Sequence, residues 1–245
     1  MTTYGGFAAV YDEFVRPPYD AWAEFVRALW RRFGDEPALV LDLACGTGSM
    51  TSRFAAMGYD MIGVDISGEM LAGAKAKSPD ILYLCQDMRA FELYGTVDAA
   101  CCLCDGMNYL ESADDLLRVF RLMANYLNPG GVFVFDLNTE RYFAETLGDG
   151  VFAEANEDAA YIWENEYDPE TRVNEYFVTF FAREANGLFR RFEELHRERA
   201  FTDAEVRGAA EKAGLTVCGT FAAGGEAPPP EDSERVYYVL RREKE

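Results

Sequence analysis

The stretch LDLACGTGSM, at residues 41–50, decides the fold. It begins inside the apolar run ALVLDL, which is typical of a buried parallel strand, and it leads into a segment with helical character. Gly46 and Gly48 allow the backbone to approach a ligand closely and to adopt positive φ angles. A strand, a glycine loop and a helix in this order are the context of a nucleotide-binding loop, although two glycines alone would favour an ordinary strand-to-helix turn.

Apolar runs and amphipathic segments alternate on both sides of this loop. The patterns predict helices at residues 19–33, 49–57, 67–77 and 112–127, and strands at residues 38–43, 61–66, 81–85, 97–104 and 132–137. Such alternation is typical of an α/β fold with a doubly wound, mostly parallel sheet.

The pattern changes after residue 148, where strand-like segments follow one another without helices. Three strands are predicted, at residues 161–167, 172–184 and 188–201, and the last two are joined by an Asn186-Gly187 turn. They predict a small antiparallel β insertion.

A helix at residues 202–214 and two strands, at 215–221 and 235–242, complete the chain. The loop between these strands is too short for a crossover helix, so we expect them to pair antiparallel. The predicted organisation is an α/β core with an N-terminal helical lid at 1–147, an insertion over the substrate site at 148–201, and the end of the core at 202–245.

The charge balance argues against several classes of partner. The 245 residues carry a net charge of −20, which gives no basic footprint for nucleic acid or for an anionic membrane surface. No apolar run approaches the roughly 18 residues of a membrane span, and no secretory signal is visible. The six cysteines have no metal-ligand spacing, so we expect reduced thiols in a cytosolic protein and no metal site.

Two acidic positions strengthen the nucleotide interpretation. Asp65 ends the second predicted strand, where a carboxylate can accept hydrogen bonds from both ribose hydroxyls of an adenosine. Gln86, Asp87 and Met88 follow the third strand, where they could contact an adenine ring. The alternatives are that Asp65 is a charge at a helix N-terminus and that Met88 belongs to the core. Polar residues recur at the carboxyl ends of successive strands, and this favours a ligand site, because open α/β sheets bind their ligands at that edge of the sheet.

Taken together, these segments resemble the motifs of class I S-adenosylmethionine (SAM) dependent methyltransferases. LDLACGTGSM is similar to their first motif, DISGEML to the second, the Gln86-Asp87-Met88 segment to the third, and CDGMNYL to the fourth; LNPGG at 127–131 is similar to the turn into strand five. A dehydrogenase loop would instead carry a third glycine near Ser49-Met50-Thr51. The resemblance implies a seven-stranded Rossmann-like sheet with a reversed last strand, and SAM as cofactor.

A narrower resemblance lies at the N-terminus. Tyr4, Phe7, Tyr11, Pro18 and Trp22 stand in a pattern similar to the opening of the bacterial YqeM-like methyltransferases, which also carry an antiparallel insertion after strand five. It implies that N-terminal tyrosines close over the methionyl end of SAM, although Tyr11, Tyr19 and Trp22 would equally suit a helix core. Ala44 departs from the family, which often has glycine there, but alanine is small enough to leave the loop usable. The implied cofactor-binding residues are Tyr4, Tyr11, Tyr19, Trp22, Asp42, Ala44, Gly46, Gly48, Asp65, Ile66, Met70, Asp87, Met88, Cys104 and Asp105.

Methyl transfer requires alignment of the reactants, and a base only when the nucleophile arrives protonated. His196 is the only histidine and shares a strand face with Glu194, while Asp105 and Tyr109 follow the fourth strand. We therefore take His196, Asp105 and Tyr109 as catalytic candidates, with a surface or internally paired histidine as the alternative. The predicted function is methyl transfer to N or O of a small molecule; the competing hypotheses are an NAD-dependent oxidoreductase and a non-catalytic SAM-binding module.

Overall fold

The structure, a computed structural model, describes Phe14 and residues 17–222, 224–225 and 227–244. The helices are α1 (Tyr19–Phe33), α2 (Ser49–Ala56), α3 (Gly68–Lys77), α4 (Ala113–Tyr126) and α5 (Asp203–Ala213). The strands are β1 (Leu39–Leu43), β2 (Asp60–Asp65), β3 (Leu82–Cys85), β4 (Val97–Cys102), β5 (Leu127–Asn138), β6 (Val151–Ala155), β7 (Ala159–Asp168), β8 (Val173–Arg183), β9 (Phe189–Arg199), β10 (Leu215–Phe221) and β11 (Arg235–Arg242). A 3₁₀ helix lies at Gly106–Tyr109, and a π-helical turn at Tyr142–Leu147.

Seven strands form one sheet, in the order β10-β11-β5-β4-β1-β2-β3. Strands β1 to β5 run parallel, and β11 pairs antiparallel with both β5 and β10. This confirms the predicted doubly wound, mostly parallel sheet and its antiparallel final pair. The strand order reverses between β1 and β4, so the ligand crevice is expected beyond their carboxyl ends.

The two faces of this sheet are covered by different helices. On one face, Trp30 of α1 and Phe54 of α2 pack together in a buried cluster. On the other, Phe120 of α4 and Val206 of α5 belong to a second cluster with Phe133 of β5. Both faces are therefore apolar, as the continuous hydrophobic strands require.

The predicted helix starts at Ser67, Ser112 and Thr202 are confirmed by their caps. Ser67 Oγ accepts from the Met70 N–H (3.2 Å), Ser112 Oγ accepts from the Asp115 N–H, and Thr202 forms a capping box with Glu205. These bonds satisfy N–H groups that have no partner inside the helix, which fixes where each helix begins.

The insertion is a separate antiparallel sheet in the order β6-β7-β8-β9. The prediction of three strands was wrong by one, because β6 was missed. All five residues of β6 are exposed, so it has no buried face and lacks the hydrophobic alternation that reveals a strand. The hairpin at Asn186-Gly187 is present, with Gly187 at φ 80°.

Strand β5 also begins earlier than predicted, at Leu127, so that LNPGG forms an irregular first part of the strand. Within the described residues, no helix has the length and apolar character needed to cross a bilayer.

Candidate active site

The glycine loop between β1 and α2 is a tight turn in left-handed backbone. Ala44, Gly46 and Gly48 have φ angles of 56°, 54° and 72°. A Cβ atom on Gly46 would meet nothing within 4 Å, whereas one on Gly48 would lie 2.8 Å from Tyr83 Oη. Gly46 therefore borders open space, whereas Gly48 is required because Tyr83 packs against it.

Asp65, at the end of β2, is hydrogen bonded to this loop. Its Oδ2 accepts from the Gly46 N–H and its Oδ1 from the Ser67 N–H, each at 2.8 Å. Burial raises the pKa of Asp65, and these backbone donors oppose the rise. The Ile66 N–H also acts on this carboxylate. Because a carboxylate offers about four acceptor sites, Asp65 keeps capacity for a further donor.

Asp42 lies deeper, within β1. Thr51 Oγ1 donates to its Oδ2 at 2.5 Å, and Cys101 Sγ lies 3.5 Å from its Oδ1. Full burial raises the pKa of Asp42 to about 6, against the hydrogen bonds from Thr51 and Cys101. Burial therefore favours the neutral form of this carboxyl more than water does.

These groups line a cavity of about 600 Å³ at the carboxyl edge of the sheet. The volume lies within the range of about 300–1,000 Å³ typical of small-molecule sites. Eleven of the predicted site residues line it: Tyr19, Asp42, Ala44, Gly46, Asp65, Ile66, Met70, Asp87, Met88, Cys104 and Tyr109. The structure thus brings strand ends that are far apart in the chain to one crevice.

Four further predicted site residues lie outside the cavity wall. Gly48 forms the turn, and Trp22 packs under the Arg235 guanidinium at 5.4 Å from the ring centroid. Asp105 is paired with Arg235, and His196 is buried under the antiparallel sheet. Tyr4 and Tyr11 lie outside the described residues.

Asp87, after β3, is held by a neighbour that the sequence analysis did not single out. Arg89 donates to both carboxylate oxygens of Asp87, at 2.6 to 3.0 Å, and lowers its pKa. Gln86 also lines the cavity, and it closes the following loop because its Oε1 accepts from the Glu92 N–H at 2.6 Å. Arg89 lines the cavity, so it is a site residue that no sequence motif indicated.

The turn after β4 is held in a strained conformation. Cys104 and Asp105 have φ angles of 59° and 58°, which non-glycine residues rarely adopt. The Asp105 N–H donates to Asp136 Oδ2 at 3.2 Å, and Arg235 binds both Asp105 and Asp136. Burial alone would lower the pKa of Arg235, but the Asp136 and Asp105 carboxylates keep it well above the ordinary value. Arg235 therefore fixes the turn whose Cys104 lines the cavity.

Tyr109 joins the cavity to the antiparallel sheet. Its Oη lies 3.1 Å from His196 Nδ1, and His196 Nε2 lies 3.2 Å from Glu194 Oε2. Glu194, His196 and Glu198 alternate along β9 and are all buried on its inner face. Tyr109 itself lines the cavity, so a line of hydrogen-bonding groups leads from the cavity to a buried histidine and carboxyl.

Asn108 fixes the position of Tyr109. Its Nδ2 donates to the carbonyl oxygens of Asn138 (3.0 Å) and Arg199 (2.9 Å), and its Oδ1 accepts from the Asn138 N–H. The 3₁₀ helix is thereby tied to the ends of β5 and β9. The signal available in the sequence was an asparagine between the apolar residues Met107 and Tyr109-Leu110.

The chain matches known methyltransferases. Residues 40–131 match the family model described as a methyltransferase domain. YqeM of Bacillus subtilis, which is named as a methyltransferase, is 33% identical, with 98% of each chain covered. A dTDP-4-amino-2,3,4,6-tetradeoxy-D-glucose N,N-dimethyltransferase of Saccharopolyspora spinosa is 31% identical over 87% of this chain and 90% of its own. Among solved structures, an S-adenosylmethionine-dependent methyltransferase from Clostridium acetobutylicum has a TM-score of 0.86 at 28% identity, covering 98% and 99% of the two chains.

The residues around the cavity fit S-adenosylmethionine. Asp65 retains acceptor capacity for ribose hydroxyls, and open space lies in front of Gly46. Among the described residues that line the cavity, five carboxyl groups face one guanidinium, which suits a ligand with a positively charged sulfonium. The matches support neither the NAD-dependent oxidoreductase nor the non-catalytic module. The chain belongs to the class I SAM-dependent methyltransferases, in the group that includes YqeM, and it is an enzyme with S-adenosylmethionine as its cofactor.

Proposed function

We propose that this enzyme methylates a nitrogen or oxygen of a small molecule that binds between the cavity and the inner face of the antiparallel sheet. The observation that carries the proposal is the contact of Tyr109, a cavity residue, with the buried His196–Glu194 pair. The Saccharopolyspora relative, whose name gives an amino sugar as its substrate, supports an acceptor of this size.

The roles proposed for the cofactor side follow from the cavity wall. When bound, SAM supplies a methyl group on a sulfonium, so the chain has to bind, align and exclude water. Asp65 would accept hydrogen bonds from the ribose hydroxyls, and Asp87 and Met88 would lie at the adenine. Tyr19 and Trp22, with Tyr4 and Tyr11, are proposed to form the lid.

The roles proposed for the acceptor side concern a proton. Tyr109 would take a proton from the acceptor while its own moves to His196 Nδ1, and the resulting imidazolium would be stabilised by Glu194. This requires His196 to carry its neutral-form hydrogen on Nε2, as a donor to Glu194. Asp105, held by Arg235, would set the shape of the turn rather than react.

The domain assignment is part of the same proposal: residues 148–201 cover the acceptor, and the segments on either side hold the cofactor. A cytosolic location is also proposed, supported by six cysteines that are all free thiols.

The experiment that tests the function has two arms. Calorimetric titration with SAM and with NAD should show binding of SAM alone. Incubation with SAM and matched panels of small amines and alcohols should then release S-adenosylhomocysteine. Binding of SAM without product from any panel would contradict methyl transfer to a small molecule, and binding of NAD alone would contradict the cofactor site.

A further inference from the structure

In the described part of the chain, Glu198 Oε2 on β9 and Asn174 Oδ1 on β8 are buried acceptor oxygens without a hydrogen-bond partner. A third buried oxygen without one is Tyr167 Oη on β7, which pairs with Asn174 in the β7–β8 ladder. Glu198 and Asn174 are direct partners in the β8–β9 ladder and face the same side, with relative exposures of 2% and 0%. The Cβ atoms of directly opposed residues in a sheet lie about 5 Å apart, so one ligand group can reach both oxygens.

The orientation of the Asn174 amide is fixed by a neighbour. Its Nδ2 donates to Asn165 Oδ1 at 3.2 Å, and Asn165 Nδ2 in turn donates to the Gly150 carbonyl at 3.1 Å. Oδ1 of Asn174 therefore remains as the acceptor. A buried acceptor without a donor is costly, so a proton on Glu198 or a donor from a ligand is expected between these two oxygens.

No cation of the described residues forms an ion pair with Glu198, although Arg235 favours its carboxylate through space. Glu194 is paired with His196, and Arg235 is bound to Asp136 and Asp105. The other groups that act on Glu198 are the hydroxyls of Tyr176 and Tyr109 and, through space, the Asp105 carboxylate. Tyr142, from the π-helical turn, also lies within electrostatic reach. Burial raises the pKa of Glu198 well above its ordinary value, so the empty site favours the neutral carboxyl and a bound cation would favour the carboxylate.

The chemistry of this pair selects among acceptors. An alcohol offers one donor and no charge, whereas an ammonium ion offers several donors and a positive charge to a buried carboxylate. We propose that the methyl acceptor is an amine that is recognised as its ammonium ion, with N–H groups donated to Glu198 and Asn174. This inference rests on the proposed function and narrows its acceptor from nitrogen or oxygen to nitrogen.

The proton balance agrees with the path described above. When the ammonium ion binds, the neutral Glu198 carboxyl releases its proton to solvent and becomes the carboxylate. The bound ammonium then passes one proton to Tyr109, the Tyr109 proton moves to His196, and a neutral amine with a free lone pair remains. The positive charge ends on the imidazolium beside Glu194. In this path the single hydroxyl proton of Tyr109 is directed to His196, so Tyr109 does not donate to Glu198 at the same time.

The test uses the protein saturated with S-adenosylhomocysteine and two matched probe pairs, cyclohexylamine with cyclohexanol and glucosamine with glucose. Binding is measured by calorimetry near neutral pH. We expect at least one amine to bind about tenfold or more tightly than its alcohol partner. Glu198→Gln should remove this preference, whereas Glu193→Gln, exposed on the opposite face of β9, should retain it.

Retained affinity for S-adenosylhomocysteine shows that the Glu198→Gln protein is folded. If that variant does not fold, Asn174→Ala replaces it and should weaken amine binding about threefold to tenfold. Equal binding of amine and alcohol in both pairs, no binding of either, or an unchanged preference in the variants would overturn the inference. Failure of the native protein to bind S-adenosylhomocysteine would instead overturn the proposed function.

Discussion

The cavity at the sheet edge and the inner face of the antiparallel sheet are built by different means. At the cavity, backbone N–H groups of Gly46 and Ser67 position one carboxylate, Asp65. On the inner face of β9, side chains position one another, as in the contacts among Tyr109, His196 and Glu194. Backbone geometry suits a cofactor that a whole family shares, whereas side chains can change with the acceptor while the fold stays the same.

The comparison also separates the expected effects of substitutions. Changes at the cavity should alter cofactor affinity, and changes on the inner face should alter turnover and acceptor binding. A residue that contacts both regions should damage both. Five substitutions, with their controls, test this division.

Arg235→Met should have the largest effect, because Arg235 holds Asp105 and Asp136 and touches Trp22. Removal of one partner from a buried ion pair should lower the free energy of unfolding by about 3–5 kcal/mol. Denaturant unfolding measures this, and cofactor and acceptor binding should both weaken. Arg241→Met, on the same strand and paired with Glu243, is the matched control. A loss no larger than in the control would show that Arg235 does not join the two regions.

His196→Ala should reduce turnover by about 100-fold while affinity for S-adenosylhomocysteine stays unchanged. The reason is that His196 does not line the cavity but accepts the proton through Tyr109. Tyr109→Phe should cause a similar loss, and the double variant should be no slower than either single one, because both remove the same path. Additive losses, measured as initial rates, would contradict that path.

Asp65→Ala should weaken SAM binding by about 1.5–3 kcal/mol, the range for hydrogen bonds to a charged group. Calorimetry measures the loss, and the preference for amine over alcohol should survive in protein saturated with S-adenosylhomocysteine. Asp60→Ala, at the exposed start of the same strand, is the control. Unchanged affinity in Asp65→Ala would refute the ribose assignment.

Glu205→Gln tests the junction between the antiparallel sheet and the core, outside both regions. Burial alone would raise the pKa of Glu205, but the hydrogen bonds from Arg199 and from the Thr202 cap lower it to about 2. The pKa of a glutamate in the unfolded chain is about 4.3, so the ionised Glu205 carboxylate stabilises the fold above about pH 4.3. This contribution is lost as the pH falls from there towards 2. The substitution should therefore cost about 1–2 kcal/mol near neutral pH, after allowance for solvent screening.

The cost of Glu205→Gln should diminish in unfolding experiments below about pH 4. Glu211→Gln, exposed on the same helix, should change little at any pH. A pH-independent cost would show that the ion pairs of Glu205 do not contribute, and a change in ligand binding would show that the junction is not separate from the two regions.

The sequence revealed the cavity better than the inner face, for a physical reason. Asp65 lies 19 residues from its partner Gly46, and both follow strands with a visible pattern. Tyr109 and His196 are 87 residues apart, and their contact depends on the register of β8 and β9 and on the bonds of Asn108. The pairing of Glu194 with His196 could be predicted from the sequence, because the alternation of side chains along a strand places both residues on one face.

The remaining features had no local signal. Arg235 follows a loop rich in proline and acidic residues and is 130 residues from Asp105, so nothing in the sequence near it indicates their pairing. The left-handed conformation of Ala44 is a further case, because alanine gives no hint of a positive φ that glycine would suggest.

A crystal structure with S-adenosylhomocysteine bound tests the central claim most directly, namely that one cavity joins a backbone-built cofactor site to a side-chain-built acceptor site. The account predicts ribose hydroxyls within hydrogen-bond distance of the Asp65 carboxylate and the sulfur directed towards Tyr109. A ribose bound away from Asp65, or a sulfur directed away from Tyr109 and β9, would contradict it.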